Sequence, residues 1–119
     1  MHQESFTIDE ESAKAINQAK VEKRRIIAVG TTSLRAVESA CNQEGFVSAI
    51  SGTTKIFIYP SYQFKIIDGL FTNFHLPKST LFMLVSALIG KDQAHNLYQY
   101  AIAKKYRFYS FGDCSLLFK

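Results

Sequence analysis

Between an aromatic stretch and a long apolar one, the chain places a run of groups able to do chemistry: Asn73, His75, Lys78, Ser79 and Thr80. Strand alternation through Phe71-Thr72-Asn73-Phe74-His75-Leu76 puts Phe71, Asn73 and His75 on one face and Thr72, Phe74 and Leu76 on the other. Asn73 and His75 thus point the same way, just before Pro77 stops the strand and Ser79 offers a helix cap. An imidazole there titrates near neutrality and can take or return a proton. The competing reading is a hydrogen-bonded core histidine, because a buried polar group without partners costs about 1–3 kcal/mol.

A second polar cluster is Gly30-Thr31-Thr32-Ser33-Leu34-Arg35. It leaves an apolar run and opens a helix, so hydroxyls, unpaired backbone N–H groups and the positive end of a helix dipole gather together. Such a place holds a carboxylate or a phosphate. It equally reads as a Thr- or Ser-capped helix with a surface arginine, and it lacks the spacing of a Walker A loop. His2-Gln3-Glu4 brings a His and a Glu close enough for acid–base work, or is simply a solvated end. Gly112-Asp113 reads as a turn. Cys41 and Cys114 are not in CxxC spacing, and reduced thiols in a cytoplasmic protein are the expectation. No Cys/His spacing suggests a metal.

The elements that must position these groups alternate along the chain. Thr7-Ile8-Asp9-Glu10 has the form of a capping box, with Thr7 as the cap and a helix following to about Val21. Ile26 to Val29 is an all-apolar run that predicts a strand buried on both faces. Ser33 or Thr32 is expected to cap the next helix, with Leu34, Val37 and Cys41 along one side. Lys55 to Tyr59 predicts a strand stopped by Pro60, and Phe64 to His75 another, bent at Asp68-Gly69. Helices are expected over Ser79 to Ile89 and Asp92 to Lys104, the latter capped by Asp92, and Tyr106 to Phe118 is strand-like on both sides of Gly112. The pattern predicts an α/β fold with a largely parallel sheet and flanking helices, and such sheets hold ligands at the carboxyl ends of their strands.

At 119 residues the chain suits a single domain with a sizeable core, and 47% hydrophobic with 20% charged residues is ordinary for a globular protein. A net charge of +4 is compatible with a nucleic-acid partner without requiring one. The basic stretches Lys20 to Arg25 and Lys104 to Arg107 read most simply as solvated helix ends, with Lys23 to Arg25, just before a strand, on the edge away from the ligand side. The longest apolar run, Leu81 to Ile89, is broken by Ser86 and falls far short of the ~20 residues of a membrane span.

Four segments, AVGTTSLRAVES, GTTKIFIYP, DGLFTNFHLPKSTLFMLVSAL and YRFYSFGDCSLLF, stand in this order. Together they resemble the carboxyl-terminal half of the S-adenosylmethionine:tRNA ribosyltransferase-isomerases of queuosine synthesis, with TNFHLPKSTL the most specific part. MHQE is similar to the family's Met-His-Ser-Glu segment, Gln3 standing for Ser. Ser61 stands where the family usually has a Gly after the Pro, and Thr53 and Lys55 replace a Trp and an Asp.

The resemblance implies transfer of the ribosyl part of S-adenosylmethionine to 7-aminomethyl-7-deazaguanine at the tRNA wobble position. Rearrangement then gives epoxyqueuosine, and adenine and methionine leave. S-adenosylmethionine is a co-substrate, no metal is implied, and the setting is cytoplasmic, with no membrane. Residues 1–119 are expected to form one α/β domain, a piece of a larger, incomplete barrel-like catalytic domain. The family's amino-terminal part and its inserted β-barrel domain find no counterpart in the chain. A monomer is implied for the full enzyme, and for this piece alone little or no activity, with self-association. Thr31, Thr32, Ser33, Arg35, Asn73, Ser79 and Thr80 are expected to line the S-adenosylmethionine pocket. His75 is the first candidate base, with His2 and Glu4 second. The alternative from another class is a non-catalytic α/β module that binds nucleotide or RNA through Gly30 to Arg35 and the basic ends.

Overall fold

The computed structural model describes residues 3–74, 79–108 and 112–119. Strand β1 (Glu4–Thr7) leads into helix α1 (Glu10–Val21). The cap of α1 is Asp9 rather than Thr7: its Oδ1 accepts from the Ser12 N–H at 2.7 Å, and this contact holds the Asp9 carboxyl below its usual pKa. Thr7 is occupied elsewhere, its hydroxyl meeting that of Ser51 at 3.1 Å. Strand β2 (Ile27–Val29), helix α2 (Thr31–Ser39), strand β3 (Ser51–Thr54) and strand β4 (Gly69–Asn73) follow. Helices α3 (Thr80–Ile89) and α4 (Lys91–Ala103) then precede strand β5 (Cys114–Phe118).

The α/β reading holds, but the sheet is mixed. β2 and β4 pair in parallel, whereas β4 and β5 run antiparallel, and β1 pairs antiparallel with β3 in a separate ribbon. Lys55 to Tyr59 is not a strand. Its alternation is real, with Ile58 buried and Phe57 and Tyr59 exposed, but among the described residues no strand takes up its backbone. Instead the Ile56 carbonyl accepts from Arg35 Nε at 3.2 Å. The segment turns at Pro60-Ser61, where Ser61 takes φ +87° and Tyr62 N–H reaches the Tyr59 carbonyl at 3.0 Å. A proline followed by a positive φ is the pattern of a type II turn, which favours glycine at the position Ser61 holds. Tyr106 to Phe108 likewise stands outside any strand, and pairing resumes only at Cys114.

The sheet β2-β4-β5 is buried on one face only. Ala28, Leu70, Thr72 and Leu117 turn inward, against Leu34 of α2, Leu84, Val85 and Leu88 of α3, and Ala94, Tyr98 and Ala101 of α4. Phe74 extends this core, its ring 5.4 Å from that of Tyr98 and 5.5 Å from that of Phe108. On the opposite face the register sets Val29, Phe71 and Leu116 in one row and Ile27, Gly69 and Phe118 in the next. Val29 is 72% exposed where its neighbour Ala28 is 6% exposed, so β2 is not the doubly buried strand its composition predicts. A Cβ on Gly69 would lie 2.9 Å from the Phe118 ring, so glycine lets that ring lie across β4. A smaller core of Ile8, Ala13, Ala40, Val47 and Ile66 joins α1 to the end of α2.

Candidate functional site

β2 ends at Gly30, whose N–H continues the parallel ladder by donating to the Phe71 carbonyl at 2.9 Å. The chain then turns into α2 through φ +91° and ψ 148° at Gly30, a conformation open to glycine alone. Gly30 is therefore the cap of α2, in place of Thr32 or Ser33, and no side chain satisfies the first turn. Thr31, half-buried, and Thr32 and Ser33, exposed, surround that positive helix end. Beside it lies a cavity of about 250 Å³ lined by Val29, Gly30, Phe71, Thr72, Asn73 and Cys114. It sits at the carboxyl ends of the parallel pair, where α/β sheets bind ligands.

Asn73 is half-buried in that lining and shares the face of Phe71, as alternation predicts. Its Nδ2 donates at 3.4 Å to the carbonyls of both Gly112 and Asp113, which brings the turn before β5 to the same sheet end. Asp113 in turn accepts from the Arg107 N–H at 2.7 Å. That backbone donor, with the Arg107 guanidinium 3.5 Å away, holds the Asp113 carboxyl below its usual range.

Glu4, Thr32 and Arg35 form a second group. Arg35 is almost fully buried, and its Nη1 pairs with Glu4 Oε1 at 2.6 Å. The Thr32 hydroxyl donates to the other carboxylate oxygen at 3.0 Å. Arg35 is thus no surface arginine, and both Glu4 oxygens are engaged in tying β1 to α2. Ser79 caps α3, its hydroxyl accepting from the Phe82 N–H at 3.1 Å, and Thr80 is the exposed first residue of that helix. The candidate bases His75 and His2 lie outside the described residues.

One residue that carries much of the geometry was not singled out from the sequence. Glu38 is buried, yet its carboxylate accepts from the Lys65, Ile66 and Ile67 N–H groups at 3.0, 2.9 and 2.9 Å and from the Tyr62 hydroxyl at 2.8 Å. Burial, and then the Glu38 carboxylate, push the Tyr62 phenol above its usual pKa. The signal was available: Glu38 stands four residues after Leu34, on the same helical stripe as Val37 and Cys41. A carboxylate on an inward stripe must find donors. Among the described residues no three His, Cys, Asp or Glu side chains group as a metal site would require.

The sequence profile of the family described as Queuosine biosynthesis protein matches residues 1–117. The S-adenosylmethionine:tRNA ribosyltransferase-isomerase of Zymomonas mobilis is 58% identical over 117 residues, which are 98% of this chain and 34% of that protein. Its counterpart in Clostridioides difficile is 53% identical with the same coverage. The crystal structure of S-adenosylmethionine tRNA ribosyltransferase from Thermotoga maritima superposes with a TM-score of 0.87 at 41% identity, over 94% of this chain and 39% of that one. The chain spans about a third of the length of the curated relatives it matches. With a profile match over nearly all its length and the same arrangement of strands and helices, the chain belongs to the queuosine biosynthesis protein family.

Proposed function

We propose that these residues supply one wall of the S-adenosylmethionine pocket in a tRNA ribosyltransferase-isomerase acting in the cytoplasm. The observation that carries this reading is the start of α2, where the cap is Gly30 and no side chain takes the first-turn N–H groups, beside Asn73 at the carboxyl ends of β2 and β4. The positive helix end and the hydroxyls of Thr31 and Ser33 suit the methionine carboxylate, while the Thr32 hydroxyl is engaged by Glu4. Asn73 offers an amide to the polar part of the nucleoside, and Ser79 and Thr80 border the pocket at the start of α3. Arg35 holds Glu4 and Thr32 in place as a positioning residue. The other substrate is tRNA bearing 7-aminomethyl-7-deazaguanine, whose amine is the nucleophile. The reaction begins with removal of a proton next to the sulfonium, and His75 is the base in this reading, with His2 the second choice. Because Glu4 already accepts from Arg35 and Thr32, it serves better as an anchor than as a base.

Two measurements test the proposal. Calorimetry on this chain should detect S-adenosylmethionine with a dissociation constant near ~1 mM, weak because a pocket built from part of its residues lacks preorganisation. Asn73→Ala should abolish that heat. In a full-length member of the family, the substitution corresponding to His75→Ala should slow turnover by ~10²–10⁴ with little change in melting temperature. Normal turnover per folded molecule with a large loss of stability would show a core histidine and end the catalytic claim.

A further inference from the structure

A groove of about 540 Å³ lies at the other end of the β2-β4-β5 sheet, beside Ile26, Asp68 and Phe118, which flank the amino ends of β2 and β4 and close β5. Lys20, Lys23, Arg24, Arg25, Lys65 and Lys119 line it, against a single carboxylate, Asp68. Cations at the end of α1 are expected on helix-dipole grounds, which accounts for Lys20 and Lys23. It does not account for Lys65 and Lys119, which arrive from two other segments.

Part of this charge is already matched. Arg24 pairs with Glu22 at 2.7 Å, Lys119 with Asp68 at 3.6 Å, and Lys20 donates to the carbonyls of Gly45 and Lys65. Among the described residues, Lys23, Arg25 and Lys65 have no carboxylate partner. Arg25 lies over the Phe118 ring, 5.1 Å from its centroid, which fixes its planar fork while leaving the N–H groups for an oxygen anion. Lys23 stands at φ +57°, where the chain leaves α1, so the basic run turns across the groove instead of continuing the helix.

We infer that this groove binds the phosphate backbone of an RNA, by several phosphates at once. The inference rests on the tRNA-modifying reading for the choice of RNA over other polyanions. β4 spans about 13 Å, so the groove and the candidate pocket sit at opposite ends of one short strand. An RNA held by its backbone at one end can present a base at the other. The groove is concave and six cations line it, which suits a strand of phosphates better than a flat lipid surface.

The test compares two triple variants of this chain with the wild type. Lys23→Gln/Arg25→Gln/Lys65→Gln removes the unmatched groove charges. Lys14→Gln/Lys55→Gln/Lys91→Gln removes the same formal charge elsewhere, and circular dichroism confirms that each variant is folded. Titration with an anticodon stem-loop transcript at several salt concentrations should show at least about a tenfold loss for the groove variant. Its slope of log affinity against log salt should be shallower by about 2, at ~0.7 per single-strand phosphate contact. The control should stay within about twofold of wild type. Equal losses in both variants, or none in the groove variant, would overturn the groove. So would loss of binding to phosphatidylserine vesicles with RNA binding intact. If groove substitution unfolds the chain, the single variant Lys65→Gln should lower the salt slope by about 0.7, and an unchanged slope refutes the inference. S-adenosylmethionine titration of the same proteins separates the two proposals. RNA binding through the groove without any S-adenosylmethionine binding sinks the transferase reading and leaves the groove, while the reverse result does the opposite.

Discussion

Leu70 and Phe71 are consecutive residues of β4, and they face different surroundings. Leu70 is wholly buried beneath α3 and α4, while Phe71 lies in an uncovered row with Val29 and Leu116. Both faces of the sheet are apolar in composition, so composition does not distinguish them. What distinguishes them is what the chain folds back upon. α2, α3 and α4 contribute to the core on the Leu70 side, and no described element packs on the Phe71 side. Val29, Phe71 and Leu116 thus leave an exposed apolar row on that face. The relatives carry about twice as many residues again beyond the matched third.

Substitutions on the two faces should therefore differ widely in cost. Leu70→Ala should lower the unfolding free energy by about 2–5 kcal/mol, because it opens a cavity in the buried cluster it shares with α2, α3 and α4. Urea denaturation measures this, and a loss under ~1 kcal/mol would mean the covered face is not the core. Glu38→Gln should come next, at about 2–3 kcal/mol. It keeps the shape but replaces one accepting oxygen with an NH₂ group, so either the Lys65 N–H or the Ile66 and Ile67 N–H groups lose their acceptor. At the rim, Ser61→Gly should raise stability by about 0.5 kcal/mol, because a side chain at positive φ is relieved at the expense of a freer unfolded chain. A lower melting temperature would show that the Ser61 side chain contributes more than its backbone costs. The smallest effect is expected for Phe71→Ser, within about 0.5 kcal/mol. Sedimentation of that variant should show less self-association than the wild type. Equal losses for Leu70→Ala and Phe71→Ser would erase the contrast between the faces.

These two faces also show what could be read without coordinates. Alternation correctly set Phe71 and Asn73 apart from Thr72 and Phe74, since side-chain direction in a strand is a local property. The Ser79 cap and the spans of α1, α3 and α4 were readable for the same reason. Pairing is not local. Ser51–Thr54 is a polar strand that pairs with β1, and the apolar Lys55 to Tyr59 has no strand partner among the described residues. The mixed sheet follows from how β5 returns after α4, which no periodicity encodes. At the candidate site, residue types pointed to Gly30 to Arg35 and Asn73; Gly30 and Asn73 line one cavity at the sheet end, while Thr32 and Arg35 turn to Glu4. The capping of α2 by Gly30 and the burial of Arg35 against Glu4 depend on a positive φ and on a contact across 31 residues, and neither is visible in local spacing.

The Glu38 carboxylate has a consequence for how the molecule opens. The N–H groups of Lys65, Ile66 and Ile67 are held by a helix side chain, not by a strand ladder. Their exchange with deuterated solvent should therefore follow the release of α2 rather than any opening of the sheet. In a native-state exchange experiment, these three amides should group with the α2 backbone and separate from β4, although Ile67 is only two residues from its start. A loop with no ladder of its own would then report the unfolding free energy of the helix whose first turn borders the candidate pocket.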